Sequence, residues 1–370
     1  MDHENTILQL LGVIDIRTAK MEECIHVGLA LFGVGRAGNI HFKNIVGNHR
    51  VMLKYIVECD VEKANALVTK YRLGETKVVS TAEQNLVYED STVDAVIVCS
   101  PTFTHGDIVK RALSSGKAVF CEKPIAEDIP TTKACYAAAA LAGKPLVCSF
   151  NRRFDPSIRS VWERVQCGEV GSVHVIKTCS RDNPVPPVDY LKISGGIFHD
   201  CAVHDIDMIC WILKEYPTKV YTQACAHIPM IRDLDDVDTV LITLTFPSGV
   251  LASIDLSRKA TYGYDQRIEV FGDQGMLQTD GQRDTCVSSF TKGQTSTDCL
   301  KFSFPQRYRE SYVNSLEHFL DLVQGKAENE VTGEQTVKCS IIASACEESH
   351  RTNQPITINY SAATMISHGE

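Results

Sequence analysis

From His26 onward, short apolar runs alternate with longer stretches of mixed polarity. Val27–Phe32 leads through a glycine cluster into a helix-competent segment, and Val51–Val57 leads into Val61–Tyr71. Further apolar runs at 95–99, 118–120 and 146–150 continue the pattern, with a helix-competent stretch at 131–142. Short buried strands spaced by helices predict βαβ units wound into a parallel sheet. Past residue 150 the pattern changes. Strand-like runs at 173–179, 220–227, 240–246, 250–256 and 267–271 follow one another, and Pro247-Ser248-Gly249 reads as a hairpin turn between two of them. Such meanders predict an open, mostly antiparallel sheet. Helices are expected at 200–213, 308–323 and 334–351. Apolar residues on both faces of the 240–246 run predict an exposed sheet face that serves as an interface. No repeat, low-complexity tract or linker separates the two parts, so a cleft between two closely packed domains is expected.

Composition narrows this picture. The 370 residues are 44% hydrophobic and 22% charged, ordinary for a globular chain. A net charge of −9 speaks against a nucleic-acid partner or an anionic membrane surface, since both need a basic footprint. No apolar run approaches the ~20 residues of a membrane span. The run at 7–16 is broken by Gln9 and Asp15 and lacks a basic flank, so it does not read as a signal peptide. Fifteen scattered cysteines without a CxxC pair fit a reducing, cytoplasmic setting better than a disulfide framework or a zinc ribbon. Residues 1–25 read as an N-terminal extension.

The segment Gly33-Val34-Gly35-Arg36-Ala37-Gly38 follows a predicted strand and opens a predicted helix, the setting of a dinucleotide-binding fingerprint. Gly33 permits the tight turn, Gly35 lets a pyrophosphate approach the backbone, and Gly38 lets helix and strand pack closely. Asp60 ends the next strand in this reading, where a carboxylate binds the ribose hydroxyls and repels a 2′-phosphate. NAD is therefore expected over NADP, with Arg36 as the residue able to receive that phosphate. Asp60 is also a good helix N-cap, and this alternative stays open. The expected organisation is α/β: a Rossmann dinucleotide-binding domain over 26–150, then a C-terminal α+β domain over 151–370.

Three further segments carry candidate chemistry. Cys121-Glu122-Lys123-Pro124 follows an apolar strand, Ser180-Arg181-Asp182 leads to Gly195–Asp205 with its Asp200 and His204, and Tyr262-Gly263-Tyr264-Asp265 precedes another strand. On one helix face, Asp200 and His204 would lie four residues apart. A neutral imidazole is suited to take a hydroxyl proton, a carboxylate to orient it, and an ammonium to stabilise an alkoxide. Singly, each has a plainer reading: Asp200 as an N-cap, His204 as a helix histidine, Lys123 as a surface lysine. A metal is not expected, since His199 and His204 stand five apart and no HExxH spacing occurs.

Together with the glycine loop, these segments resemble the Gfo/Idh/MocA oxidoreductase family, and the Ser-Arg-Asp and Tyr-Gly-Tyr-Asp elements point to its inositol branch. The resemblance spans about residues 26 to 358. It implies a catalytic set of Lys123, Asp200 and His204 in a cleft between the two domains. It also implies NAD as cofactor and a homodimer or homotetramer. Oxidation of a secondary alcohol of a cyclic polyol is expected, with myo-inositol going to its 2-keto form. Another sugar, a dihydrodiol, or a non-enzymatic NAD-binding sensor are the alternatives on the same fold. Ser100, Pro101, His105, Glu122 and Lys123 are expected to border the cofactor. Asn151, Arg152, Arg153, Ser180, Asp182 and Tyr264 are the expected substrate contacts. Cys201, Val203 and Ile206 stand where the inositol branch often carries bulkier apolar groups, and Asn183 interrupts its Ser-Arg-Asp-Pro wording, so the pocket is expected to be reshaped.

Overall fold

A computed structural model of the chain describes residues 26–363, and the extension expected over 1–25 lies outside them. The first domain is a six-stranded sheet of β1 (Val27–Phe32), β2 (Val51–Val57), β3 (Lys77–Val79), β4 (Ala95–Val98), β5 (Ala118–Cys121) and β6 (Leu146–Cys148). All its neighbours pair in parallel, in the order β3-β2-β1-β4-β5-β6. The order reverses beside β1, and ligands of such sheets bind at that crevice beyond the strand C-termini. Strands β1, β4 and β5 are buried at every position, which is why their sequence shows no alternation.

Helices cover both faces. On one side α1 (Arg36–Val46) and α2 (Val61–Tyr71) pack Phe42, Ile45 and Ala64 onto Leu29, Leu31 and Ile97. On the other, α3 (Thr102–Ser114) and α4 (Ile129–Ala142) bring Val109, Leu113 and Cys135 to Ala30, Phe32 and Val96.

The second domain begins with α5 (Pro156–Gln166), capped by Asp155, and β7 (Val173–Arg181). After α6 (Val203–Leu213) come β8 (Lys219–Cys225), β9 (Thr239–Thr245), β10 (Leu251–Ser257), β11 (Asp265–Gly272) and β12 (Met276–Thr279). A small exposed hairpin, β13 (Ser288–Thr291) and β14 (Gln294–Thr297), precedes α7 (Arg309–Val323), α8 (Gly333–Thr352) and β15 (Ile356–Thr357). The large sheet runs β12-β11-β7-β10-β9-β8-β15, antiparallel throughout except where β7 lies parallel to β10. Its inner face (Ile176, Ile242, Ile254, Val270) forms one core with α6 and α8. Helix α8 is bounded by a Thr332–Gln335 capping box and by Asn353 in the left-handed region.

Three features differ from the sequence reading, the last on the outer sheet face. The chain returns to the first domain, because Leu316, Phe319 and Leu320 of α7 complete the core around Phe42 and Phe120. The helix expected over 200–213 starts as an α-helix only at Val203, and Phe198–Ala202 form a wider π-helical turn. The Asp200 carbonyl there accepts a hydrogen bond from Lys123 Nζ (2.7 Å). Its carbonyl therefore serves the first domain's lysine, and π turns of this kind recur at functional sites.

The outer face of the large sheet is mixed rather than apolar. In β9, Val240, Ile242 and Leu244 point inward, and Leu241 alternates outward with threonines. Leu241, Leu251, Phe271 and Met276 are exposed on this sheet. They share it with the ion pairs Lys177–Glu269 and Arg181–Asp255.

Candidate active site

A cavity of about 840 Å³ opens between the domains and extends from the glycine loop to α6. At its first-domain end, Gly33 sits at φ +86°, and a side chain there would collide with the Cys99–Ser100 backbone. A Cβ on Gly38 would lie 2.1 Å from the Gly33 carbonyl, so α1 can approach β1 only with glycine. Gly35 faces open space, with no atom within 4 Å of where a Cβ would stand. It precedes α1, whose N-terminus has no side-chain cap, so free backbone N–H groups face the opening. These features suit a pyrophosphate at a helix N-terminus. Of the loop, Gly33, Gly35, Arg36 and Ala37 line the cavity. Val34 is buried behind it, its N–H donating to Glu58 Oε2 (2.7 Å).

Asp60 is not where the sequence reading put it. Strand β2 ends at Val57, and Asp60 caps α2, accepting the Lys63 N–H at 3.0 Å while exposed outside the cavity. Glu58, the first residue past the strand, lines the cavity instead. Burial pushes the Glu58 carboxyl up, but donors from the Cys59 thiol and the Val34 and Asp60 N–H groups outweigh this and hold it below its ordinary value. The carboxylate is therefore ionised beside the loop. Arg36 turns the other way. Its guanidinium stacks on the Tyr190 ring (4.4 Å) and the Phe304 ring (5.0 Å), both from the second domain.

The next wall joins two strand ends. His105 lies between the Ser100 and Pro124 carbonyls, 2.8 Å from each, and so braces the loop of Ser100 and Pro101 against that of Lys123. Glu122 borders the cavity, yet its carboxylate is held by His41 (2.8 Å) and Ser149 (3.1 Å).

Lys123 crosses to the second domain. Its ammonium donates to Asp200 Oδ1 at 2.7 Å as well as to the Asp200 carbonyl. Burial favours the neutral amine, but Asp200 and the Tyr190 oxygen prevail and raise Lys123 above the ordinary lysine value. Asp200 also accepts from the Tyr190 hydroxyl (2.8 Å) and from Arg258 Nη1 (3.0 Å). Burial opposes its charge, yet Lys123 and Arg258 hold it well below the usual carboxylate range. The expected carboxylate–imidazole contact is absent. Asp200 faces Lys123, and His204 Nδ1 is buried without a protein partner. Burial first, then the charges of Lys123 and Arg152, push His204 well below the ordinary imidazole value. A neutral imidazole thus stands beside a charged ammonium.

Arg152 and Arg153, neighbours in the helical turn Asn151–Phe154, point to opposite sides. Arg152 enters the cavity and meets Ser180 (3.3 Å) and Asp205 (3.4 Å). Arg153 turns away to form a buried fork with Asp207 at 2.5 and 3.0 Å and bonds to Glu330 and Gln335. It holds α6 against α8 and is not among the cavity residues, which corrects the expectation that it meets substrate. Asn151, Ser180, Asp182 and Tyr264 line the cavity as expected. The Asn151 amide nitrogen is buried there without a protein partner, and behind the lining one Asp205 oxygen and the Gln266 amide nitrogen are likewise unpartnered. Tyr190, Arg258, Glu58, Asp205 and Gln266 were not assigned from sequence.

Residues 27–150 match the model of the GFO/IDH/MocA oxidoreductase family, NAD-binding Rossmann fold, and residues 158–278 match the GFO/IDH/MocA C-terminal domain. The inositol 2-dehydrogenase of Rhizobium meliloti is 36% identical over 333 residues, covering 90% of this chain and 99% of that protein. The scyllo-inositol 2-dehydrogenase (NAD(+)) of Bacillus subtilis is 31% identical over 338 residues, covering 91% and 98%. The crystal structure of a myo-inositol dehydrogenase from Corynebacterium glutamicum superposes with a TM-score of 0.84 at 33% identity, covering 90% and 99%.

The two acidic residues after β2 give opposite expectations. Glu58→Gln removes the charge facing the loop, so the ratio of kcat/KM for NAD over NADP should fall about tenfold, or ~1.4 kcal/mol. Asp60→Ala should leave that ratio unchanged and lower stability by about 1 kcal/mol through the lost cap. Steady-state assays with both cofactors and thermal melts separate them; a cofactor ratio that follows Asp60 would reverse the assignment.

Proposed function

We propose that this chain, which belongs to the GFO/IDH/MocA family of oxidoreductases and binds NAD in its Rossmann domain, oxidises a ring hydroxyl of a cyclic polyol, with myo-inositol going to its 2-keto form. The observation that carries this reading is the single cavity that joins the glycine loop to Lys123, Asp200 and His204. The inositol-oxidising relatives, aligned over nine-tenths of the chain, support the substrate class.

In this reading the cofactor supplies the hydride acceptor, and every other task belongs to the chain. His204 takes the hydroxyl proton, since its imidazole is neutral at neutral pH. Lys123 donates to the hydroxyl oxygen and stabilises the negative charge that grows there as the carbon loses hydride. Asp200 keeps that ammonium charged and aimed. Arg152, Ser180, Asp182, Tyr264 and the unpartnered amide nitrogen of Asn151 suit a ligand that presents hydroxyls in many directions. Glu58 takes the ribose role first given to Asp60. Scyllo-inositol is the second reading of the natural substrate, favoured by the Bacillus subtilis relative.

We further place the enzyme in the cytoplasm as a homodimer or homotetramer. All the described cysteines are free thiols, and Leu241, Leu251, Phe271 and Met276 give the outer sheet face an apolar component. Light scattering at micromolar concentration should return a multiple of the 40.9 kDa chain mass. A monomer would remove the interface.

For the chemistry, wild type should form NADH with myo-inositol. His204→Ala should lose about 10²- to 10⁴-fold in turnover while NAD binding, followed by fluorescence, persists. Near-normal turnover in His204→Ala would contradict the mechanism, and wild type inactive on every inositol would contradict the substrate class.

A further inference from the structure

Arg258 follows β10 and is completely buried. Its N–H donates to the Asp238 carbonyl at 2.8 Å, which fixes its backbone. Nη1 donates to Asp200 Oδ2 at 3.0 Å, and Nη2 lies 3.6 Å from Asp236 Oδ2. Nε and Nη2 make no hydrogen bond, and the guanidinium's hydrogen bonds run from Nη1 alone, to Asp200 and to Cys201 Sγ (3.4 Å). Such an arrangement is costly for a purely structural residue.

The other oxygen, Oδ1, accepts from Lys123 and Tyr190. With donors from three separate segments on its two oxygens, the carboxylate cannot rotate. We propose that Arg258 is a positioning residue, holding Asp200 turned toward Lys123 and away from His204, so that the imidazole remains unengaged until a substrate hydroxyl arrives. The proposal rests on the reading of His204 as the base.

The groups that act on His204 come from several elements. Lys123 follows β5, Arg152 follows β6, and Asp200 lies on the turn before α6. Asp182 at the end of β7, Cys201 and Tyr264 line the same cavity. Burial, Lys123 and Arg152 disfavour the imidazolium, and Asp200 alone of the named charges favours it. Removing the guanidinium frees Oδ2, and the released carboxylate can then turn to the imidazolium. His204 would hold its proton to higher pH, and the base form would be lost first at the acid end of the profile.

The test uses the full chain with ¹³C-labelled histidine, the His204 signal being assigned by its loss in His204→Ala. In wild type, His204 should stay neutral down to and below the ordinary midpoint of about 6.5. In Arg258→Gln its midpoint should rise by about one pH unit or more. The acid limb of the kcat/KM profile for myo-inositol should move up in pH by the same amount, with NAD affinity unchanged. Arg258→Lys keeps the charge without the planar guanidinium and should give a smaller shift in the same direction. It decides alone if Arg258→Gln does not fold. Variants that bind NAD normally and titrate His204 at the wild-type midpoint overturn the proposal. The titration needs no substrate, so failure of the polyol reading would show separately, as wild-type inactivity.

Discussion

The contact between Lys123 and Asp200 is the constraint around which this molecule is arranged. One partner leaves the last residues of β5 in the first domain, and the other sits in a π turn of the second. Their bond therefore spans the boundary between the two domains at the cavity. Buried ion pairs are weak sources of stability, since desolvation offsets much of their attraction, but breaking one partner away costs about 3–5 kcal/mol. The benefit here is chemical. Paired with a carboxylate that accepts from two further donors, the ammonium stays charged in a water-poor cleft, and the imidazole a turn later stays neutral.

The surroundings follow from that pair. Glu122, beside Lys123, is tied to His41 of α1, and His105 braces Pro124, so the lysine's backbone is held from both sides. Arg152 and Arg153 pair with Asp205 and Asp207, two residues apart on α6, and this registers the turn after β6 against the helix that follows Asp200. Arg36 reaches from the glycine loop to Tyr190, whose hydroxyl rests on Asp200. The glycine-loop end of the cavity and its Lys123–His204 end are thus linked through one carboxylate.

Much of this was legible in the sequence. The glycine loop, Glu122-Lys123-Pro124, Asp200 and His204 were readable because each is a short run whose chemistry depends on local spacing. The parallel and meander halves were readable because their hydrophobic periods differ. What was hidden depended on side-chain direction or on distant pairing. Asp60 and Glu58 stand two residues apart, and only the strand's end at Val57 decides which enters the cavity. The apolar run stopping at Val57, with a helix start just after Asp60, was the available signal. Adjacent arginines in a tight helical turn point in different directions, and no pattern assigns Arg153 to Asp207. Tyr190 and Arg258 meet Asp200 from 10 and 58 residues away. A lone tyrosine after a proline-rich stretch and a lone arginine after a strand announce nothing by themselves.

The central claim, that Lys123 and Asp200 act as one unit across the domain boundary, is tested most directly by a double-mutant cycle on kcat/KM. Lys123→Met, Asp200→Asn and the double variant would be compared with wild type, with NAD binding measured in each. If the pair is a unit, the double variant loses little more than Lys123→Met alone, because removing the second partner takes nothing further from an already broken contact. Losses that multiply would contradict the account and leave two residues acting independently.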